Sequence, residues 1–224
     1  MIKNIFQKFL NKSGKSYQID KEIPDSLILL TLYKRLLMLI RGIIKTHKKV
    51  FVGNNTKIYN SKNISFGKNV TIDKNCIIDG YSKQKIVFGD CVTIGAYSKL
   101  TTTSHFSKYG VGLKMGNNCA VGDFTHFGAS GGISIGNDVI MGSYISFHSE
   151  NHVFSDNSKL IREQGTISLG IKIGNNVWVG AKVTFLDGCE VGNNSVVAAG
   201  AVVNSVFPDN CVIGGVPAKI LKTL

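Results

Sequence analysis

Ile173-Gly-Asn-Asn-Val-Trp-Val179-Gly-Ala-Lys-Val-Thr-Phe185-Leu-Asp-Gly-Cys-Glu-Val191-Gly-Asn-Asn-Ser-Val196 returns to one pattern every six residues. An aliphatic or large apolar residue opens each hexad, Gly usually follows, and a small or β-branched residue takes the fifth place. The same beat runs upstream from Phe66, Ile72, Phe88, Ile94, Met115, Val121, Ile135 and Met141, and downstream from Val197. A strict short period over this length specifies a solenoid. The opening apolar residue points inward, and Gly or Asn supplies the dihedrals of a tight corner. Asn117-Asn118, Asn137-Asp138, Asn175-Asn176 and Asn193-Asn194 mark corners that use left-handed backbone. Three hexads make a triangular coil of about 18 residues, and stacked coils pair parallel strands along each face.

The repeat resembles the hexapeptide-repeat acyltransferases, over roughly residues 50–217. The resemblance implies a mainly β fold, a left-handed parallel β-helix, here with an N-terminal amphipathic helix. The handedness comes from the resemblance and opposes the usual crossover rule. The chain then divides into a basic N-terminal segment with its helix (1–49), the β-helix (50–217) and a C-terminal tail (218–224).

The formal net charge of the 224 residues is +12, unevenly spread. Residues 1–49 hold eleven Lys and Arg against Asp20, Glu22 and Asp25. That surface suits acidic partners such as anionic lipid, nucleotide sugars or acidic glycans. No basic–aromatic interleaving or recognisable module points to nucleic acid. Cys76, Cys119 and Cys189 occupy fifth hexad places as small fillers, expected to be free thiols in a reducing cytoplasm. The opening residues show no long apolar run of the secretory kind.

Asp25 or Ser26 is the expected cap of a helix over 26–46. Leu29, Leu32, Tyr33, Leu36, Leu39, Ile40 and Ile43 fall on one side of it at helical spacing, and Thr31, Lys34, Arg41 and Lys45 on the other. Charges every few residues exclude a membrane span. Two roles fit: capping the open end of the prism to hide apolar surface, and peripheral docking at the inner face of the membrane.

Between Phe147 and Ile171 the beat fails, giving an expected active-site loop over 148–171 that carries His148, Glu150 and His152. A sugar hydroxyl attacks a thioester poorly unless its proton leaves as the bond forms, and neutral imidazole suits that task. In the family that Ile173-Gly-Asn-Asn-Val-Trp-Val-Gly180 resembles, the catalytic His lies in such a loop before this coil. The resemblance therefore nominates His152 as base and His148 second, with Glu150 or a backbone carbonyl fixing the tautomer. Asp156, Arg162 and His126 are the expected acceptor-side residues.

Ile213-Gly-Gly-Val-Pro-Ala-Lys219 closely resembles the family's closing pattern. It implies acetyl-CoA as co-substrate, with the pantetheine arm beside Trp178, Gly180, Ala181, Ala199 and Gly200, and the phosphates near Asn204, Pro217 and Lys219. Asn204-Ser205 stands where many relatives carry Thr-Lys; Lys182, Lys219 and Lys222 are the replacements at hand. The family further implies a homotrimer with sites between prisms. The function implied is O-acetylation of a sugar in a surface polysaccharide such as capsule or lipopolysaccharide, by direct transfer without a metal. N-acetylation of an amino sugar nucleotide shares the chemistry. A zinc lyase of the gamma carbonic anhydrase kind would instead gather His126, His148 and His152.

Overall fold

The computed structural model describes residues 2–12 and 18–224; Met1 and residues 13–17 of the basic segment lie outside the described residues. The hexads fold as their period predicts, into a parallel solenoid with three faces, the left-handed β-helix that the resemblance implies. The first face has nine strands, from Phe51–Val52 through Trp178–Val179 and Val196–Val197 to Cys211–Gly214 and Lys219–Thr223. The second and third faces have seven each. The second includes Lys99–Thr101, His126–Gly128, Ser146–His148, Thr184–Leu186 and Val202–Val203; the third includes Ile133–Ile135 and Ile171–Ile173.

Inward residues stack in register along each face. Phe127, Phe147 and Phe185 are fully buried on consecutive coils, with ring centroids 5.1 and 4.9 Å apart. Cys76, Cys119 and Cys189 are buried fillers, as their hexad place predicts. Left-handed dihedrals fall on the second residue of the corner pairs: Asn118, Asp138, Asn176 and Asn194 have φ between 52° and 58°. The first residue of each pair extends a ladder down the corner. The Asn117 N–H donates to Asn137 Oδ1, Asn137 N–H to Asn175 Oδ1 and Asn175 N–H to Asn193 Oδ1, each at 2.8 Å. Side chains thus satisfy amides that have left the strand ladder.

Another corner breaks the asparagine habit. Tyr97, Phe124 and Tyr144 take left-handed dihedrals there and stack nearly parallel, both centroid spacings 4.9 Å. Lys182 and Gly200 continue the column with φ of 61° and 74°.

Helix α1 (Ile2–Lys12) was not legible in the sequence; it packs on α2 (Asp25–Thr46), which lies across the first coil. Pro24, rather than Asp25 or Ser26, holds the N-cap position, and no side chain caps it. The helix also seats the side opposite to the one its apolar pattern suggests. Ile28, Gly42 and Thr46 are its buried residues, and Arg35 lies 3.8 Å from the centroid of the Phe51 ring. A Cβ at Gly42 would sit 1.7 Å from the Val50 carbonyl oxygen, so close seating is open only to this narrow side. Lys45 and Lys48 donate to the carbonyls of Thr56 and Ile64, tying the helix end to the first coil.

Residues 218–224, expected as a tail, form the strand Lys219–Thr223, antiparallel to Cys211–Gly214. It covers the edge of the last coil, an edge that would otherwise offer unpaired backbone.

Candidate functional site

The interruption at 148–171 is an arm. After Ser146–His148 the chain leaves the second face, forms the antiparallel pair Asn151–His152 with Thr166–Ile167, and returns as Ile171–Ile173 on the third face. His152 is exposed on its outgoing strand, and its backbone register opposite Thr166 fixes where the ring is presented.

Two clamps hold the arm. At its root, Lys108 Nζ meets Glu150 Oε2 at 3.2 Å and donates to Ser168 Oγ at 2.5 Å and Thr166 Oγ1 at 3.3 Å. Ser104 and Ser168 hydroxyls also donate to Glu150, each at 3.3 Å. Burial alone would raise the Glu150 pKa, but the Lys108 bond and charge, with both hydroxyls, hold it below the ordinary carboxylate value. Glu150 thus joins the root of the arm to the loop at 102–112. Among the described residues, neither ring nitrogen of His152 has a hydrogen-bond partner.

On the return side, the nearly buried Asp187 accepts from Leu169 N–H at 2.9 Å on each oxygen and from Gly170 N–H at 2.7 Å. Lys108, Ser104 and Asp187 escaped the reading of the sequence. The available signal for the first two was the second gap in the beat, between Leu100 and Leu113. Asp187 had none, since it sits at an ordinary corner position.

The second face carries the other two expected histidines. His126 and His148 lie on adjacent strands with ring centroids 6.0 Å apart, and His148 Nε2 is 2.8 Å from Ser146 Oγ. His126 is half-buried and held below the ordinary imidazole pKa, first by burial and then by the nearby charges of His148 and Lys99. Among the described residues no three His, Cys, Asp or Glu side chains lie together as a metal site.

The remaining expected residues separate into groups. Ala181, Ala199 and Gly200 are exposed at the corner between the first and second faces, and a Cβ at Gly200 would meet nothing within 4 Å. Gly180 serves the fold: a Cβ there would sit 2.5 Å from the Ala199 nitrogen of the next coil. Trp178 is exposed on the first face, where it lines a cleft with Ile140, Val196 and Leu224. Asn204, Pro217 and Lys219 are exposed at the last coil, where the Ala218 N–H donates to the Val202 carbonyl. Asp156 folds the arm's tip through Ser158 and Lys159, and its pKa is lowered by those bonds. Arg162 is exposed on a short 3-10 turn of the arm. The second face thus runs between a corner of small exposed residues on one side and the arm on the other.

A family profile described as "Bacterial transferase hexapeptide (six repeats)" matches residues 170–205, the coils that carry Trp178, Ala181 and Ala199. Over these coils the chain carries the repeat of the hexapeptide transferases. This hexapeptide-repeat chain is 34% identical over 130 residues to WbbJ of Escherichia coli (strain K12), named for lipopolysaccharide-biosynthesis O-acetyl transfer. The match covers 50% of the chain and 66% of WbbJ. It is 29% identical over 140 residues to the galactoside O-acetyltransferase of the same organism, covering 59% and 64% of the two chains. Less than two-thirds of either relative's own length is therefore spanned. Among solved structures, two mutants of AntD, an N-acyltransferase from Bacillus cereus in complex with dTDP and Coenzyme A, share the fold. The TM-scores are 0.53 and 0.50, both at 21% identity, covering 82% and 79% of this chain and 87% and 82% of theirs.

Proposed function

We propose that this chain is an acetyl-CoA-dependent O-acetyltransferase acting on a sugar hydroxyl of a surface polysaccharide or its precursor. The observation that carries the reading is His152 on a two-stranded arm, clamped at root and return beside the second face. A mere scaffold gains nothing from two clamps on an insertion; a general base requires such fixed presentation. The relatives' names for O-acetyl transfer support the same chemistry.

In this reading the acceptor oxygen attacks the acetyl carbonyl carbon while His152 takes the hydroxyl proton. The tetrahedral intermediate collapses by breaking the C–S bond, and the imidazolium returns the proton to the departing CoA sulfur. A backbone N–H of a corner serves the oxyanion. His148 and Glu150 support the arm's root, and His126, kept neutral, lines the acceptor side with Arg162. The pantetheine arm lies along the corner of Ala181, Ala199 and Gly200, where no side chain blocks a close approach. Trp178, Asn204, Pro217 and Lys219 flank it. A homotrimer completes the site, the second face and arm of one copy meeting the next; no metal takes part.

The test is acetyl-CoA-dependent thiol release across a panel of nucleotide sugars and polysaccharide repeat units, beside His152→Ala. Release with a hydroxyl acceptor that the variant loses by about 100-fold or more supports the reading. Undiminished turnover by folded His152→Ala removes His152 as the base. Product carrying the acetyl on an amine moves the chain to the N-acetylating branch.

A further inference from the structure

The side of α2 turned away from the prism is apolar along its length. Leu29, Tyr33, Leu36, Ile40 and Ile44 follow one another at spacings of four, three, four and four residues, which is one helical stripe. All five are between 46% and 70% exposed. Leu30, Leu32 and Ile43 widen the stripe, and no charged residue falls within it. Capping the first coil does not account for this surface, because the cap uses Ile28, Arg35, Gly42 and Thr46 on the opposite side. Scattered exposed leucines need no explanation, whereas a contiguous stripe from Leu29 to Ile44 of a 22-residue helix marks an interaction surface.

The charge around the stripe selects its partner. Lys34 and Arg41 border it, in a segment (1–49) whose sequence carries eleven basic against three acidic residues, an excess of eight; of these, Arg35, Lys45 and Lys48 face the first coil. A second copy laid on the stripe would bring an equal excess against the first, in the arrangement like charges oppose. An anionic surface reverses the sign of that interaction. At 1.5 Å per residue the helix is about 33 Å long, enough to lie flat with its apolar stripe in the lipid boundary and its cations at the headgroups. No helix among the described residues is long and apolar enough to cross a bilayer. We infer that α2 docks the protein on the surface of an anionic lipid bilayer, with the prism standing away from it.

The test is flotation of the full chain with vesicles of phosphatidylcholine containing about 30% phosphatidylglycerol, against vesicles of phosphatidylcholine alone, at low and high salt. The protein floats with the anionic vesicles, less with neutral ones and less at high salt. Since each Lys or Arg near such a surface is worth about fivefold in partitioning, Lys34→Glu/Arg41→Glu lowers binding by at least about 25-fold. Leu36→Glu/Ile40→Glu abolishes binding with an unchanged thermal melt, because both positions are exposed in the fold. Absence of flotation with anionic vesicles, or flotation insensitive to both double variants, overturns the inference. So does a drop in assembly size caused by Leu36→Glu/Ile40→Glu, which would make the stripe a contact between copies. None of these readouts depends on acetyl transfer, so the two proposals fail separately.

Discussion

Asp187→Ala removes the acceptor that holds the return strand of the arm. Its carboxylate takes three contacts from two backbone donors, at 2.9, 2.9 and 2.7 Å. Hydrogen bonds to a charged group contribute about 1.5–3 kcal/mol each, giving a ceiling of about 3–6 kcal/mol for two donors. Leu169 lies at an exposed position, so water reaches the freed amides once the base loosens, and about 2–4 kcal/mol remains. The arm lies outside the coils, so this loss falls on local opening more than on global unfolding. Amide hydrogen exchange at Leu169 and Gly170 should accelerate by roughly 30- to 1,000-fold, while the strands at Phe147 and Phe185 keep their protection. Asp187→Asn keeps one acceptor oxygen and should recover part of the protection. Under the proposed chemistry the Ala variant also lowers kcat, with little change in the KM for acetyl-CoA. Unchanged exchange at residues 169–170 in a folded Asp187→Ala protein would refute the clamp.

Three further outcomes follow from particular residues. His126 titrates below its unfolded value, so the unfolded chain binds the proton first as pH falls; stability should drop from about pH 6.5 down to the lowered pKa, and thermal melts of His126→Gln should lose that slope. Burial pushes the Cys76 thiol up to about 11 and Cys189 up to about 12, so a thiol reagent at pH 8 should leave both unmodified until denaturant is added, with the partly exposed Cys91 reacting first. Under the proposed chemistry, Ala199→Leu places a branched side chain on the exposed corner and should raise the KM for acetyl-CoA about tenfold or more with an unchanged melt; an unaltered KM would overturn the proposed pantetheine path at this corner.

The prism was legible because its signal is local and repeated. Each inward apolar residue and each corner asparagine restates the same constraint, and the dihedrals at Asn118, Asp138, Asn176 and Asn194 follow it. Tyr97, Phe124 and Tyr144 occupy a corner where asparagine or glycine was the natural expectation; stacking between coils is invisible to a rule about single residues. The arm was visible as missing rhythm, but its anchoring was not. Lys108 and Glu150 are joined across a fold that must exist before they can meet. The seating of α2 was read on the wrong side because periodicity reports where apolar residues fall. It does not report which side is narrow enough to approach the Val50 carbonyl.

The arm's two ends meet almost at a point. A Cβ at Gly131 would lie 1.9 Å from the Ser149 carbonyl oxygen, and one at Gly170 would lie 3.1 Å from the Gly131 carbonyl. Strand pairing crosses the excursion without a change of register, Ile133 opposite Ile171 and Phe147 opposite Phe185. Residues 150–169 are therefore a parenthesis in the coil, and doubling their number would cost only about 0.6 kcal/mol in closure entropy. Evolution can lengthen, shorten or replace such a segment while the scaffold stays as it is. Under the proposed chemistry, one prism can in this way be fitted to acceptor after acceptor, with selection acting on the inserted arm and the repeat left to keep time.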